Sequence, residues 1–295
     1  MDRVKQSIHY WCKDTKSNQI RGKGICVAVL DTGAEAHPDL GNRVKAFRDF
    51  VNRRAGMYDD SGHGTHVAGI IAGNGRLSGG RYAGMAPEAE LVIVKVLNQK
   101  GEGSLEQIEA GIQWVQENRK QYRIQIVNLS VGAKADLDSK KAKELICAVE
   151  LLWDAGMIVV VSAGNYGPGE GSIAIPGTSR KVITVGAVSD RNTQNNCSGN
   201  GPTDQCVVKP DVVAPGYGIL SLNRRYQDGN VPYVRKSGSS MATPVVAGAM
   251  SLLLEKYPDM SNVESKLRLR ESCDKRKDFL QIQGWGMINV NQLLR

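Results

Sequence analysis

The sequence predicts an α/β fold: an open, doubly wound and mostly parallel sheet flanked by helices. Two patterns carry that expectation. Short apolar, β-branched runs recur along the chain, and amphipathic helical patterns lie between them. Near-continuous apolar runs suit strands buried on both faces of a parallel sheet. Strand–helix–strand alternation then argues for a doubly wound layer structure. The 33 glycines suit the many tight turns that such a fold needs.

"ICVAVLDTG" (Ile25 to Gly33) is the first strand, ended by a turn. "HVAGIIAG", after His63-Gly64-Thr65, continues as a small-residue helix. "ELVIVKVL" (Glu90 to Leu97) is the next strand in this reading. "SLEQIEAGIQWVQENRK" opens with Ser104 and has Gln107 three residues on, the spacing of a capping box. Its Leu105, Ile108, Ile112 and Val115 recur at helical intervals. "IQIVNLS" (Ile124 to Ser130) is a strand, and "DSKKAKELICAVELLWDAG" is a helix with Gly156 as its C-cap. "MIVVVSAGN" (Met157 to Asn165) and "KVITVGAV" (Lys181 to Val188) are further strands. "SGSSMATP" (Ser237 to Pro244) leads into a last apolar helix, "VVAGAMSLLLEKY".

Composition excludes several classes. With 41% hydrophobic and 23% charged residues, the chain reads as an ordinary globular protein. Its net charge of +8 comes from scattered basic residues. The clusters Lys140-Lys141-Ala142-Lys143 and Lys275-Arg276-Lys277 lack interleaved aromatics, so no nucleic-acid partner is expected. No apolar run reaches the roughly 18 residues that span a bilayer, so no membrane partner is expected. The polar start "MDRVKQSIHYWCKDTKSNQ" is unlike a signal peptide. The six cysteines form no CxxC pair and no metal pattern. Cys26 and Cys147 read as small buried hydrophobes. Cys197 and Cys206 are placed to bridge a loop, but a reducing, cytoplasmic setting is the simpler reading.

In doubly wound sheets, functional residues gather at the carboxyl ends of strands. Asp31 ends the first strand, as a turn residue or as a carboxylate that orients a base. His63 is flanked by glycines in "DDSGHGTHVAGIIAG". His63 and His66 lack the HExxH form and a third ligand, so no metal site is expected, and His66 reads as structural. Asn165 ends another strand, as a turn cap or as an amide donor aimed at an oxyanion. Ser239 and Ser240 stand where a helix N-cap belongs. A serine there is also a nucleophile if a base takes its proton. Acid, base, amide donor and hydroxyl are together the parts of acyl transfer. "GSSMA" does not supply the G-x-S-x-G of the lipase-type hydrolases.

The motifs resemble those of the subtilisin family of serine peptidases. They are "VAVLDTG" with "HPDL", "DDSGHGTHVAGIIAG", "GMAPEAELVIVKVL", "NLSVG", "VVVSAGN", "KPDVVAPG" and "GSSMATPVVAG", in that order from about Lys23 to the end. The texture is most similar to that of bacterial intracellular, AprX-like subtilases. The resemblance implies one peptidase domain over 1–295, with 1–22 an N-terminal extension and 23–295 the catalytic core. It implies that Asp31 orients His63, that His63 is general base and then acid, and that Ser240 is the nucleophile. Asn165 and the backbone N–H of Ser240 would form the oxyanion hole. Leu129, Ser130, Val131 and Gly132 would be one substrate-binding edge, and Gly101, Glu102 and Gly103 the other. Ser162, Ala163, Gly164 and the stretch from Tyr166 to Pro176 would line the S1 pocket, with Ala174 narrowing its floor.

Some residues depart from the family's pattern. Val245 stands where the family has His. "GNGRLSGGRYAG" does not match the family's calcium loop, so no cofactor is required and a structural calcium lacks support in the sequence. "NCSGNGPTDQC" also departs. The 30 residues before Asp31 are too few for a separately folded prodomain. The expected activity is serine endopeptidase, acting on peptide or unfolded protein in intracellular turnover or precursor maturation. The alternative is an inert member of the fold that only binds peptides. Asp59, Asp60 and Glu102 suggest a preference for basic substrate residues, and Glu170 either reaches into the S1 pocket to favour Arg or Lys or is a solvated loop charge. Oligomeric state is left open.

Overall fold

A computed structural model describes residues 1–17, 19–132, 139–189, 197–275 and 284–295. Asp138, Arg276 and Lys277 lie outside them.

The strands are β1 (Cys26–Asp31), β2 (Val44–Asp49), β3 (Glu90–Lys95), β4 (Ile124–Leu129), β5 (Ile158–Ser162), β6 (Ile183–Val188) and β7 (Val212–Pro215). They form one seven-stranded sheet in the order β2-β3-β1-β4-β5-β6-β7. Every pairing in it is parallel. A separate antiparallel hairpin joins β8 (Ile219–Leu222) to β9 (Tyr233–Lys236). Each strand of the central β1, β5 and β6 is buried along its whole length, as the unbroken apolar runs require.

The helices are α1 (Asp2–Ser7), α2 (Lys13–Lys16), α3 (His63–Ala72), α4 (Leu105–Tyr122), α5 (Ser139–Asp154), α6 (Ser239–Lys256), α7 (Asn262–Ser272) and α8 (Val290–Leu293). α3 and α6 pack on each other and on one face of the sheet, and α4 and α5 pack together on the other. Ser104 caps α4 reciprocally with Gln107, through bonds of 3.3 and 3.0 Å. α6 is buried almost throughout, including Val245, so its N-terminal turn is fixed by packing.

One expectation fails in α5. Cys147 is exposed, not buried. The helix turns Leu145, Val149 and Leu152 inward, and Cys147 lies two residues off that stripe. Cys26 is buried as expected, and no disulfide joins any of the six cysteines, Cys197 and Cys206 included.

Residues 1–17 pack on the far end of α6. Tyr10 donates its hydroxyl to the Met85 carbonyl at 3.0 Å, and Lys256 Nζ meets Asp14 at 3.2 Å. Val290 N–H donates to the Ile8 carbonyl at 2.8 Å, which joins the two chain ends.

Sheet order reverses at β1, whose neighbours β3 and β4 run outward in opposite directions. Open sheets of this kind place ligands at the carboxyl ends of the strands beside that point. Asp31 ends β1, and Ser130 follows β4 there.

Candidate active site

Asp31 is fully buried at the end of β1. Its Oδ1 accepts from the Thr32 N–H at 2.7 Å and lies 2.7 Å from His63 Nδ1. Asp31 Oδ2 has no partner among the described residues. His63 is the first residue of α3 and stays one-quarter exposed on its side chain. The close packing of α3 on β1 needs Gly64. A Cβ there would stand 2.1 Å from the Gly33 carbonyl oxygen and 3.1 Å from Asp31 Oδ1. Burial disfavours the charged imidazolium of His63, but the charge and hydrogen bond of Asp31 outweigh it. His63 therefore titrates above its ordinary value.

His66 lies one turn on and is fully buried. Its Nε2 is 3.0 Å from the carbonyls of both Ile219 and Val234. Burial pulls its pKa down to about 3, so it stays neutral. It fastens the β8–β9 hairpin to α3.

The expected role of Asp59 and Asp60 in attracting basic substrate residues is not supported. Asp59 is buried and serves the start of α3. Its carboxylate accepts from the N–H groups of Ser61, Gly62 and Thr65 and from the hydroxyls of Thr32 and Thr65. Acids at a helix N-terminus satisfy orphan donors in this way. Asp60 pairs with the fully buried Lys95 at 2.7 Å, which removes its free charge. Glu102 and Glu170 are exposed on loops.

Ser239 and Ser240 are the first two residues of α6, so Gly238 takes the N-cap position. Gly238 adopts φ +137°, which a side chain rarely tolerates, and a Cβ there would crowd Asn165 Nδ2 at 3.2 Å. The Ser239 N–H donates to Asn165 Oδ1 at 2.9 Å. That bond orients the Asn165 amide, whose Nδ2 makes no hydrogen bond among the described residues. Ser240 N–H, in the first turn, has no intrahelical acceptor. Ser239 is fully buried and its hydroxyl has no partner among the described residues.

Ser240 Oγ donates to the Ser130 carbonyl at 3.2 Å. No hydrogen bond joins Ser240 to His63 in this state. Catalytic bonds are often long or misaligned without substrate, and a χ1 rotation changes which partner the hydroxyl meets.

Leu129 and Ser130 are buried, and Val131 and Gly132 are half-buried. Across from them stand the buried Ser162, Ala163 and Gly164. Ala174 fills the floor between. A Cβ on Gly132 would fall 2.6 Å from the Ala174 Cβ, and one on Gly164 2.5 Å from it. Tyr166, in the stretch expected to line the S1 pocket, donates its Oη to the Gly132 carbonyl at 3.3 Å, a tie across the slot. Gly101, Glu102 and Gly103 form an exposed turn in which Asn98 N–H donates to the Glu102 carbonyl at 2.8 Å. No hydrogen bond joins that turn to Leu129–Gly132.

The residues at the loop after α3 do not fit a calcium ion. Asp39 Oδ1 accepts from the Leu77 N–H at 3.0 Å, and Oδ2 from the Tyr233 hydroxyl at 2.7 Å. The Arg43 guanidinium donates to the carbonyls of Asp39, Ala72 and Pro87. Calcium needs six to eight free oxygens, and here a protein cation and protein donors occupy them. No group of three or more His, Cys, Asp or Glu stands ready for a metal among the described residues. No helix among them is long and apolar enough to cross a membrane.

The family model described as "Subtilase family" matches residues 22–286. Serine protease AprX of Bacillus subtilis (strain 168) is 43% identical over 292 residues, covering 92% of this chain and 66% of that protein. This chain thus spans slightly under two thirds of that relative. An intracellular serine protease of Paenibacillus polymyxa is 39% identical over 248 residues, covering 80% of this chain and 68% of its own. Among solved structures, a cold adapted subtilisin-like serine proteinase superposes with a TM-score of 0.76 at 28% identity, over 92% of this chain and 90% of that one.

Proposed function

The chain belongs to the subtilase family and has the subtilisin-like fold, and on that premise we propose that it is a serine endopeptidase working through Asp31, His63 and Ser240. The observation that carries the proposal is the 2.7 Å contact of a buried Asp31 with a one-quarter exposed His63 at the start of α3, with Ser240 in the first turn of α6, the helix that packs on α3. His63 takes the Ser240 proton as the hydroxyl attacks the substrate carbonyl carbon. Asp31 holds the imidazole in the tautomer with a proton on Nδ1 and stabilises the imidazolium. The oxyanion forms at Asn165 Nδ2 and the Ser240 N–H. His63 then gives its proton to the leaving amine, and water repeats the sequence on the acyl-enzyme.

The substrate would lie as an extra strand. β3 and β4 are separated by β1 alone, so they stand two strand spacings apart, about 10 Å. Past the end of β1, that gap admits one extended peptide between Gly101–Gly103 and Leu129–Gly132. Such a strand bonds through its backbone and tolerates many sequences. The slot floored by Ala174 would take the side chain before the scissile bond. Residues 1–295 would act as one unit, with 1–22 as an extension that braces α6 and 23–295 as the core. With its oxygens already taken by protein donors, the loop after α3 would need no calcium. Cytoplasmic turnover or precursor maturation is consistent with the intracellular relative.

Hydrolysis of an unfolded protein substrate, compared with Ser240→Ala, tests the reading. Turnover by the parent chain and none by the variant is expected. Equal peptide binding with no turnover by either would favour an inert, peptide-binding member of the fold.

A further inference from the structure

The two sides of Ser240 differ in charge. The slot residues Leu129 to Gly132, Ser162 to Gly164 and Ala174 carry no ionisable side chain. The β8–β9 hairpin stands on the other side, held to α3 by His66, whose carbonyl in turn accepts from Ser221 Oγ at 2.8 Å. Lys236 closes β9 opposite Ile219, four positions before Ser240. It is half-buried and lies within electrostatic reach of His63, Asp31 and Asp59. Burial lowers its ammonium below the ordinary lysine value, against the pull of Asp59 and Asp31. Both carboxylates are committed elsewhere, Asp31 to His63 and Asp59 to the start of α3. The Lys236 ammonium makes no hydrogen bond or ion pair among the described residues.

Arg224 adds a second cation. A Cβ on Gly62 would meet Arg224 Cδ at 2.9 Å, so the side chain lies over the residue that precedes His63. Its Nη1 donates to the Asp59 carbonyl at 3.3 Å. A guanidinium has five donors, so most remain for a ligand.

The polarity of the cleft assigns these cations to one half of the substrate. The acyl half lies over the Ala174 slot, with its carbonyl toward Asn165. The leaving amine must lie toward His63, which protonates it. The chain after the scissile bond therefore passes β9 and Arg224. We propose that Lys236 and Arg224 form a cationic subsite that selects an Asp or Glu side chain just after the scissile bond. This rests on the serine endopeptidase reading and reverses the sequence-based expectation of a basic preference. A partly desolvated ammonium without a partner gains most from a carboxylate that arrives with the substrate.

Acyl transfer isolates this half of the site. One ester loads Ser240, and glutamic acid α-amide, glutamine amide or lysine amide then competes with water. The amine nitrogen attacks the ester carbonyl carbon, Ser240 Oγ leaves, and the amine's proton passes through His63 back to Oγ. Glutamic acid α-amide is expected to capture the acyl group about three- to fivefold better than glutamine amide, the scale of a partly exposed ion pair. Lysine amide should be the poorest. The preference should vanish in Lys236→Gln/Arg224→Gln and invert in Lys236→Glu, with thermal melts confirming folded variants. Equal capture by the parent chain, or a preference that survives in the folded double variant, overturns the proposal. Absence of any acyl-enzyme in the parent chain overturns the endopeptidase reading itself, and the subsite with it.

Discussion

Ser130 and Ser240 hold each other by two hydrogen bonds. Ser240 Oγ donates to the Ser130 carbonyl at 3.2 Å, and Ser130 Oγ donates to the Ser240 carbonyl at 3.3 Å. Pro244 makes the second bond available. It sits four residues after Ser240 inside α6 and has no N–H to offer that carbonyl. Asn128 Nδ2 completes the chain by donating to Ser130 Oγ at 3.0 Å. Ser130→Ala should therefore strand a buried amide and a helix carbonyl, at a cost of about 1–3 kcal/mol. Thermal melts should show the loss. An unchanged melting temperature would mean that the bonds do not hold the helix start.

The adjacent serines should separate cleanly. Ser239→Ala removes a buried hydroxyl that has no partner among the described residues, so stability should be equal or slightly higher and turnover retained. Ser240→Ala should keep the fold and abolish turnover. Steady-state kinetics beside melting curves distinguish the two, and the reverse pattern would reassign the nucleophile.

The proposed mechanism gives Asn165 two separable duties. Its Oδ1 accepts from Ser239 N–H, and its Nδ2 would donate to the oxyanion. Asn165→Asp keeps the acceptor and removes the donor. The fold should survive while kcat falls about 10²–10³-fold, the scale measured for one such donor in subtilisin itself. A comparable rise in KM with kcat unchanged would argue for a substrate-binding role instead.

The acid limb of activity should follow His63. Its imidazolium is favoured by Asp31 despite burial, so kcat/KM should fall with decreasing pH through a value above the ordinary histidine value of about 6.5. Asp31→Asn should move that limb down as well as lower the rate. The stability sign is opposite to that of an acid. A raised folded pKa gives stability that is complete below the ordinary value and lost as pH rises through the folded one. Melting curves across that window should show the loss in the parent chain and not in Asp31→Asn.

Chelation should leave the fold intact. Arg43 and the donors to Asp39 fill the loop after α3 with protein hydrogen bonds. Melting temperatures in EDTA and in calcium should agree within about 2 °C, because a ligand that binds only the folded state would separate them. Arg43→Ala should lower the melting temperature in both buffers. A calcium-dependent rise in the parent chain would show that a metal site exists after all.

Much of the site was legible because its parts are local. Asp31, Asn165 and Ser240 each follow from a run of apolar residues meeting a turn or helix start, and His63 from its flanking glycines. The misreadings came from partners distant in sequence. Asp59 and Asp60 look like free acids until the fold brings Thr32 and Lys95 to them. Lys236 and Arg224 carry no motif, and only the docking of the hairpin on His66 sets them beside His63. Cys147 was within reach of the sequence. The phase of Leu145, Val149 and Leu152 already turns it outward.

A fluorophosphonate reaction followed by peptide mass spectrometry tests the central claim most directly. The account predicts a single stoichiometric adduct on Ser240 that is lost in His63→Ala. Well-folded protein that carries no adduct on Ser240, or carries it on Ser239, would contradict it.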